Sequence, residues 1–354
     1  MISSWDHFIK TYASTWDSIQ NTEKWPPDLT RTWVDALISG HEIDINSLRA
    51  ISWGSTQSDL GFLPLYQERF HRFGIPFNKI GPLFNTFCIR HALPSTHPLD
   101  LSITAILDEV SKLRSWDIFV IDKLLQSSQE ADAWIREMQS QKLSYDIKLS
   151  ERSPYLKIDC GWDEFLSKKS KNFRYNLRRK NKKLASEHQI KILEYTDSSD
   201  IPAVMQAIAR IEQGSWKKQS GTAIISRPWE QKFYEQLLTG LAISGQVLCT
   251  ILQLDNKPAA YDISLLSHGI GYCLKTSFHS DYASLSPGLV LRTHLMKRVF
   301  DLGLKEYDFL GEAERYKLEW STTVRQYGSI TLYNDNMQGR LLAALNKISK
   351  YRSK

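Results

Sequence analysis

The segment Ser284-Leu285-Ser286-Pro287-Gly288-Leu289 carries the sharpest chemical signal in the chain. It stands between a strand-like run and an amphipathic run. Ser286 suits a helix N-cap and Pro287 the first helical position. Gly288 removes a side chain where a ligand would approach the backbone. The N–H groups of Gly288, Leu289 and Val290 then point out of the helix end, where the helix dipole favours an anion. Simple capping accounts for the same residues with no ligand. The second signal is charge. From Lys168 to Lys183, nine of sixteen residues are Lys or Arg and none is acidic. Removing those nine cations from the net charge of +6 leaves −3. One basic element on a mildly acidic protein points to a local anionic partner rather than a general nucleic-acid coat. A solvated helix face is the alternative reading of that run.

The elements that position these residues fall into two halves. A chain of 354 residues suits about two domains. Its 42% hydrophobic and 24% charged content is that of an ordinary globular protein. The opening residues lack a basic flank followed by an apolar stretch, so no signal peptide is expected. No run of about eighteen apolar residues occurs to span a bilayer. Cys88, Cys160, Cys249 and Cys273 lie far apart in apolar contexts and read as buried thiols of a reducing, cytoplasmic compartment. No Cys/His spacing suggests a metal.

In the first half, periodicity predicts helices over 5–19, 28–39, 100–113 and 128–139. It predicts strands over 48–53, 60–66, 117–121 and 144–149, with a loop-rich stretch from 74 to 98. The junction falls at Ser153-Pro154. The second half reads as a strand over 155–160, a basic helix over 162–184, and helices over 201–213 and 228–243. Strands at 246–254, 259–266 and 271–278 follow. A helix over 287–302 is closed by Gly303. The chain continues with a strand at 305–310, a helix at 313–321, a strand at 329–333 and a basic amphipathic tail over 337–354. Both halves run meander, helix, strand, helix, strand. This predicts an α/β protein with mixed α+β sheets and two domains, 1–153 and 154–354.

Several segments resemble the CelD-like acetyltransferases of the GNAT superfamily. They are Tyr272 to Phe278, the Ser286-Pro287-Gly288 turn, Tyr307 to Gly311 followed by Tyr316-Lys317 and Trp320, Ser153-Pro154-Tyr155, Lys171 to Arg179, Ser215-Trp216-Lys217 and Leu63 to Tyr66. The resemblance implies two tandem GNAT-like domains, a double fold shared with the Fem-type transferases that add amino acids to peptidoglycan precursors. It implies that strands 272–278 and 305–310 splay apart, that the pantetheine arm of an acyl-CoA such as acetyl-CoA lies between them, and that the helix end at Gly288 holds its pyrophosphate. The usual phosphate signature, Gln/Arg-x-x-Gly-x-Gly/Ala, is replaced here by Ser-Pro-Gly with one glycine. That leaves aminoacyl-tRNA open as the donor. Gly311-Glu312-Ala313-Glu314 also departs from the family, which leaves the identity of an acid at that turn open.

On this reading Asp308 is the first candidate for an active-site acid and Tyr316 for protonating the leaving group. Lys317 is a candidate phosphate partner beside Ser286, Gly288, Leu289 and Val290. Trp216 and Lys217 are placed on the acceptor side, with Asp262 on the neighbouring strand and Glu212 as a weaker acid. Each has a structural alternative: backbone bonding for Asp308, core packing for Tyr316 and Trp216, a solvated surface for Lys317. Trp320 reads as core. The first half lacks a Ser-Pro-Gly turn and is expected to bind no donor.

The leading expectation is an N-acyltransferase moving an acyl group from acyl-CoA to an amine of an amino sugar or amino acid. The resemblance places it in cell-envelope or polysaccharide metabolism, with a small-molecule, glycan or lipid-linked acceptor. The alternatives are an aminoacyl-tRNA-dependent transferase gripping tRNA through residues Lys168 to Lys183, or a non-catalytic nucleotide- or polysaccharide-binding module. The tail has Leu341, Leu342, Leu345 and Ile348 opposite its basic residues. It offers either a peripheral contact at the inner membrane surface or packing against the body.

Overall fold

The computed structural model describes every residue except 23, 24, 57, 58, 114, 353 and 354. The chain divides into two compact units. The first comprises Met1–Val34, Ile43–Arg152 and Arg325–Lys354, the second Asp35–Glu42 and Ser153–Val324. The boundary at 152/153 lies one residue from the junction expected in sequence. The expected assignment of all of 154–354 to the second domain is corrected for the segment 325–354, which returns to the first unit. Residues 35–42 pack with the second.

The first unit contains β1 (Ile2–Ser4), α1 (Trp5–Thr22), the start of α2 (Arg31–Gly40), β2 (Arg49–Thr56), β3 (Asp59–Arg72), β4 (Ile75–Pro82), α3 (Leu99–Lys112), β5 (Ile118–Leu125) and α4 (Gln129–Ser140). Strands β1 to β4 form an antiparallel meander, and β4 pairs β5 in parallel. The strand β4 lies where a loop is expected in sequence. Its two prolines, Pro76 and Pro82, sit near its start and at its end, where a missing N–H costs the ladder little. The strand β6 (Ser144–Lys157) starts in this unit and continues into the second, joining what read as two strands.

The second unit holds α5 (Trp162–Lys168), α6 (Lys171–Glu187), β7 (Ile190–Tyr195), α7 (Ile201–Gln213), α8 (Trp216–Gln219), α9 (Pro228–Ile243), β8 (Val247–Leu254), β9 (Lys257–Ser267), β10 (Ile270–Phe278), α10 (Pro287–Asp301), β11 (Glu306–Asp308) and α11 (Arg315–Leu318). Its strands pair in the order β6, β11, β10, β9, β8, β7, antiparallel except for β10 with β11. The basic helix expected over 162–184 is two helices. Ser170 takes an extended conformation between them and caps α6 by accepting the Phe173 N–H at 3.1 Å. The core under α10 gathers Phe165, Leu177, Leu295, Met296, Val299, Phe309 and Trp320, so Trp320 is a core residue as expected.

The last strand, β12 (Val324–Tyr333), pairs antiparallel with β5 from Tyr327↔Leu125 to Tyr333↔Ile118. That pairing draws the C-terminal segment into the first unit. The tail helix α12 (Met337–Arg352) buries Leu342 against Phe77 and Tyr333. Leu341 and Ile348 stay exposed. Among the described residues no helix is long and apolar enough to cross a membrane.

Candidate active site

In the second unit, β10 and β11 run parallel for three residue pairs, Ile270↔Glu306, Gly271↔Tyr307 and Tyr272↔Asp308, and then part. Two devices end the pairing. On β11, Leu310 and Gly311 take φ of 50° and 65° and turn the chain away. Asp308 fixes that turn by accepting the Leu310 N–H at 2.9 Å. Lys317 ties it further, donating to the carbonyls of Leu310 (2.7 Å) and Glu312 (3.0 Å) and pairing with Glu314 at 3.1 Å. On β10 the register slips between Cys273 and Lys275, so Leu274 is an extra residue at a bulge. A bulge bends a strand and increases its twist. From Leu274 to Thr276 the strand is half-buried, although Tyr272 and Cys273 before it are buried.

The helix α10 starts just beyond the end of β10. Ser286 precedes it in the left-handed region, φ 57° and ψ 51°, with no side-chain capping bond. The expected Ser286 hydroxyl cap is therefore corrected: the αL backbone carries its side chain off the helix end. The expected trio of free N–H donors is also corrected. The N–H groups of Leu289 and Val290 both bond to the Ser286 carbonyl, at 3.0 and 3.3 Å. Gly288 keeps the donor at the second helical position, half-buried. A Cβ added there would meet one neighbour within 4 Å, Phe278 Cδ1 at 3.4 Å. The helix end thus has room for an anion close to the backbone, served by one N–H and the helix dipole.

On the α10 face of the fork lies a buried polar network. The Arg292 guanidinium pairs with Asp262 at 2.8 Å and donates to Tyr307 Oη at 3.1 Å and Cys273 Sγ at 3.2 Å. Ser264 bonds both Asp262 and Tyr307, each at 2.7 Å. One side chain thereby holds β9, β10 and β11 together at the point where β10 and β11 separate. Burial pushes the Cys273 thiol up, away from the thiolate that a nucleophile needs. Asp262 faces Arg292, is almost fully buried, and is not open to a substrate.

The opposite face carries a second cluster. Glu212 accepts from Tyr261 Oη at 2.6 Å and from the Ile225 N–H at 3.3 Å. Lys275 pairs with Glu230 at 2.7 Å. Lys217, on α8, donates to the Thr276 carbonyl at 2.6 Å. Thr276 lies beyond the fork, so this amine caps part of the β10 edge that β11 leaves uncovered. Burial, and then the neighbouring Lys275 ammonium, holds Lys217 down at about 8. Trp216 beside it is 51% exposed, and the Lys217 amine lies 5.9 Å from its ring centroid. Tyr316 is 42% exposed, and burial pushes its hydroxyl up, so it keeps its proton at neutral pH.

The structure brings Asp308, Lys217, Gly288 and the β10 edge to one fork. Lys317 is spent on the 310–314 turn, because its carbonyl partners and Glu314 satisfy the ammonium, and it does not face a phosphate. Sequence reasoning missed Arg292 and the Lys275–Glu230 pair. Arg292 left one trace: a cation beside Leu291, Leu295 and Val299 on the apolar stripe of α10. Among the described residues no cluster of three or more His, Cys, Asp or Glu has metal-binding arrangement.

The first unit contains a related fork. There β4 and β5 pair in parallel for two residues, Lys79↔Ile118 and Ile80↔Phe119. The β5 edge beyond is taken by the chain that follows β4. Asn85 donates to the Val120 carbonyl at 2.7 Å and accepts the Asp122 N–H at 3.2 Å. The His91 N–H bonds the Lys123 carbonyl at 3.1 Å. Gly81 permits this closeness, since a Cβ there would lie 2.4 Å from the Val120 carbonyl and 2.8 Å from Asn85 Nδ2. Asp28 clamps the covering loop, accepting from Cys88 Sγ (3.2 Å), Ile89 N–H (3.0 Å) and Arg90 N–H (3.2 Å). Burial pushes Asp28 up to about 6.

Meander, helix, strand, a bulge, and a parallel pair that forks after a few residues define a GNAT-like fold. Residues 171–318 match the family described as the acetyltransferase (GNAT) domain. Among solved structures the chain is similar to FemX, with a TM-score of 0.61 and 11% identity over 93% of this chain and 98% of that one. It is similar to the C-terminal DUF2156 domain of a protein named as a lysylphosphatidylglycerol synthetase from Agrobacterium fabrum, with a TM-score of 0.58 and 10% identity over 94% of each chain. It is also similar to L-PGS from Bacillus licheniformis, with a TM-score of 0.56 and 8% identity over 94% and 95%. At these identities the likeness is one of fold. No curated protein matches the sequence.

Proposed function

We propose that this chain is an N-acyltransferase that takes an acyl group from acyl-CoA and passes it to the amine of an amino sugar or amino acid. The observation that carries the reading is the open fork. The β10 edge from Leu274 to Thr276 is half-buried where β11 has turned away, and it leads to a helix end whose Gly288 leaves the backbone approachable. The extended amide-bearing arm of an acyl thioester suits such an edge, and its pyrophosphate suits the helix end. In the reaction the acceptor nitrogen attacks the acyl carbon and the carbon–sulfur bond breaks. The nitrogen gives its proton to a base, and the departing sulfur receives one. Lys217 has an amine partly neutral near pH 8 and takes the base role. Tyr316 supplies the proton to sulfur. Asp308 acts as a positioning residue, because its carboxylate is engaged with the Leu310 N–H that shapes the fork. The likeness to FemX and to lysylphosphatidylglycerol synthetase domains favours an acceptor belonging to the cell envelope.

The test is isothermal titration with acetyl-CoA on the wild type and on Gly288→Asp. An acid in the first helical turn complements the dipole, so folding is kept, while its charge opposes the donor's phosphates. Donor affinity is expected to fall more than tenfold at unchanged Tm. Wild-type affinity in the variant would remove the site from Gly288. A second reading rests on the exposed cations of α6: the same fold taking its acyl group from aminoacyl-tRNA. It predicts no acetyl-CoA binding and tRNA binding that weakens steeply with salt.

A further inference from the structure

A cavity of about 380 Å³ lies between α6 and α10 in the second unit, apart from the fork. Its floor is apolar, made by Trp162, Leu177, Ile192 and Val290, and its rim carries Arg174, Arg178 and Lys297. Among the described residues no acidic side chain lines it. The nearby Glu194 is committed to His294 at 2.8 Å and Arg298 at 3.0 Å. Arg174 spends one N–H on the Ser167 carbonyl at 3.0 Å, leaving the rest of its guanidinium toward the space. Arg178 and Lys297 have no partner among the described residues.

This convergence comes from two helix faces. Arg174 and Arg178 are one turn apart on α6, and Val290, Thr293 and Lys297 share a face of α10. Like charges one turn apart repel each other, and a third cation from the facing helix adds to that repulsion. A bound anion relieves it. Guanidinium groups match the geometry of phosphate oxygens. An apolar floor beside them offers nothing to inorganic phosphate, but it accommodates the organic part of an ester, and the volume is that of a small-ligand site. We propose that the α6–α10 cavity binds a phosphate ester with an apolar or aromatic body, the phosphate held by Arg174, Arg178 and Lys297. The proposal does not require acyl-CoA at the fork. Lys297 stands nine residues from Gly288, roughly 13 Å along the helix.

The experiment is isothermal titration at low salt with three probes: inorganic phosphate, ADP, and dihexanoylphosphatidylglycerol below its micelle concentration. Each is titrated into the wild type and into the double variant Arg178→Glu/Lys297→Glu, whose substituted side chains are exposed and whose fold is checked by circular dichroism. At least one ester is expected to bind ten times more tightly than phosphate and to lose at least tenfold in the variant. Binding of ADP alone identifies a nucleotide site, binding of the lipid alone a headgroup site, and binding of both the shared chemistry. If neither ester exceeds inorganic phosphate, or if the double variant binds as the wild type does, the proposal is overturned.

Discussion

The two forks begin alike and end differently. In the first unit the strand edge exposed by the parting of β4 and β5 is met at once by the Asn85 amide and by the loop that Asp28 holds in place. In the second unit the β10 edge meets one long side chain, Lys217, reaching across from α8, and Leu274 to Thr276 stay half-buried. A strand edge is a row of donors and acceptors that must be satisfied. A side-chain amide both donates and accepts, as Asn85 does here, and closes the edge permanently, whereas the Lys217 ammonium satisfies one carbonyl and leaves the rest to a ligand. The comparison also shows what openness requires. Without a plug between them the arms need support from beneath, and Arg292 supplies it from α10 by binding side chains of three strands.

Breaking that support has the largest expected effect. Arg292→Leu leaves Asp262 as a buried carboxylate without its cation, a loss of about 3–5 kcal/mol measurable as a lower urea midpoint. The double variant Arg292→Leu/Asp262→Leu recovers most of it. If the single variant were as stable as the wild type, Arg292 would not be the support. Next comes the plug. Asn85→Leu strands the Val120 carbonyl and the Asp122 N–H, at about 2–3 kcal/mol, and acetyl-CoA binding stays at one equivalent per chain. A second equivalent appearing in Asn85→Gly would show that the amide alone keeps the first fork closed.

Asp28 gives a smaller effect with a pH signature. Its folded value of about 6 lies above the ordinary 3.8, so the native state binds the extra proton between those values. Stability therefore falls as pH rises from about 4 to 6. Asp28→Asn is expected to gain on the order of 2 kcal/mol at pH 7.5 and to lose that advantage below pH 4, read from thermal melts across the range. The smallest effect on stability is expected at Lys217. Lys217→Met should abolish an ascending limb near pH 8 in the kcat/KM profile while shifting the melting temperature by only a few degrees. A limb that persists assigns the proton transfer to another group.

How much of this was readable from sequence depends on the range of the interaction. The start of α10 was legible because Pro287 sets its own φ and Gly288 its own freedom, within a few residues. Even so, Ser286 took a left-handed conformation that no local rule required, and its carbonyl engaged two of the three N–H groups expected to be free. The strands β8 to β10 were legible from apolar runs and turns. The fork's chemistry was not. Asp262, on a strand that alternates, pointed to Arg292 rather than to a cleft, and alternation alone never says which face a helix will cover. The strand β4 was hidden by prolines that are tolerated near its two ends.

By itself the sequence determined the types of most elements, the basic run of α6 and the glycine at the helix end, all of which arise from propensities and periodicities acting over one or two turns. Tertiary structure alone decided that one fork is filled and the other open, that residues 325–354 complete the first unit, and that Lys317 holds a turn while Lys217 reaches a strand edge. Asn85 and Val120 are 35 residues apart, Lys217 and Thr276 59. Contacts at such separation form only when strand order is set, since their geometry comes from hydrogen-bonded pairing between distant segments and not from the residues' own preferences.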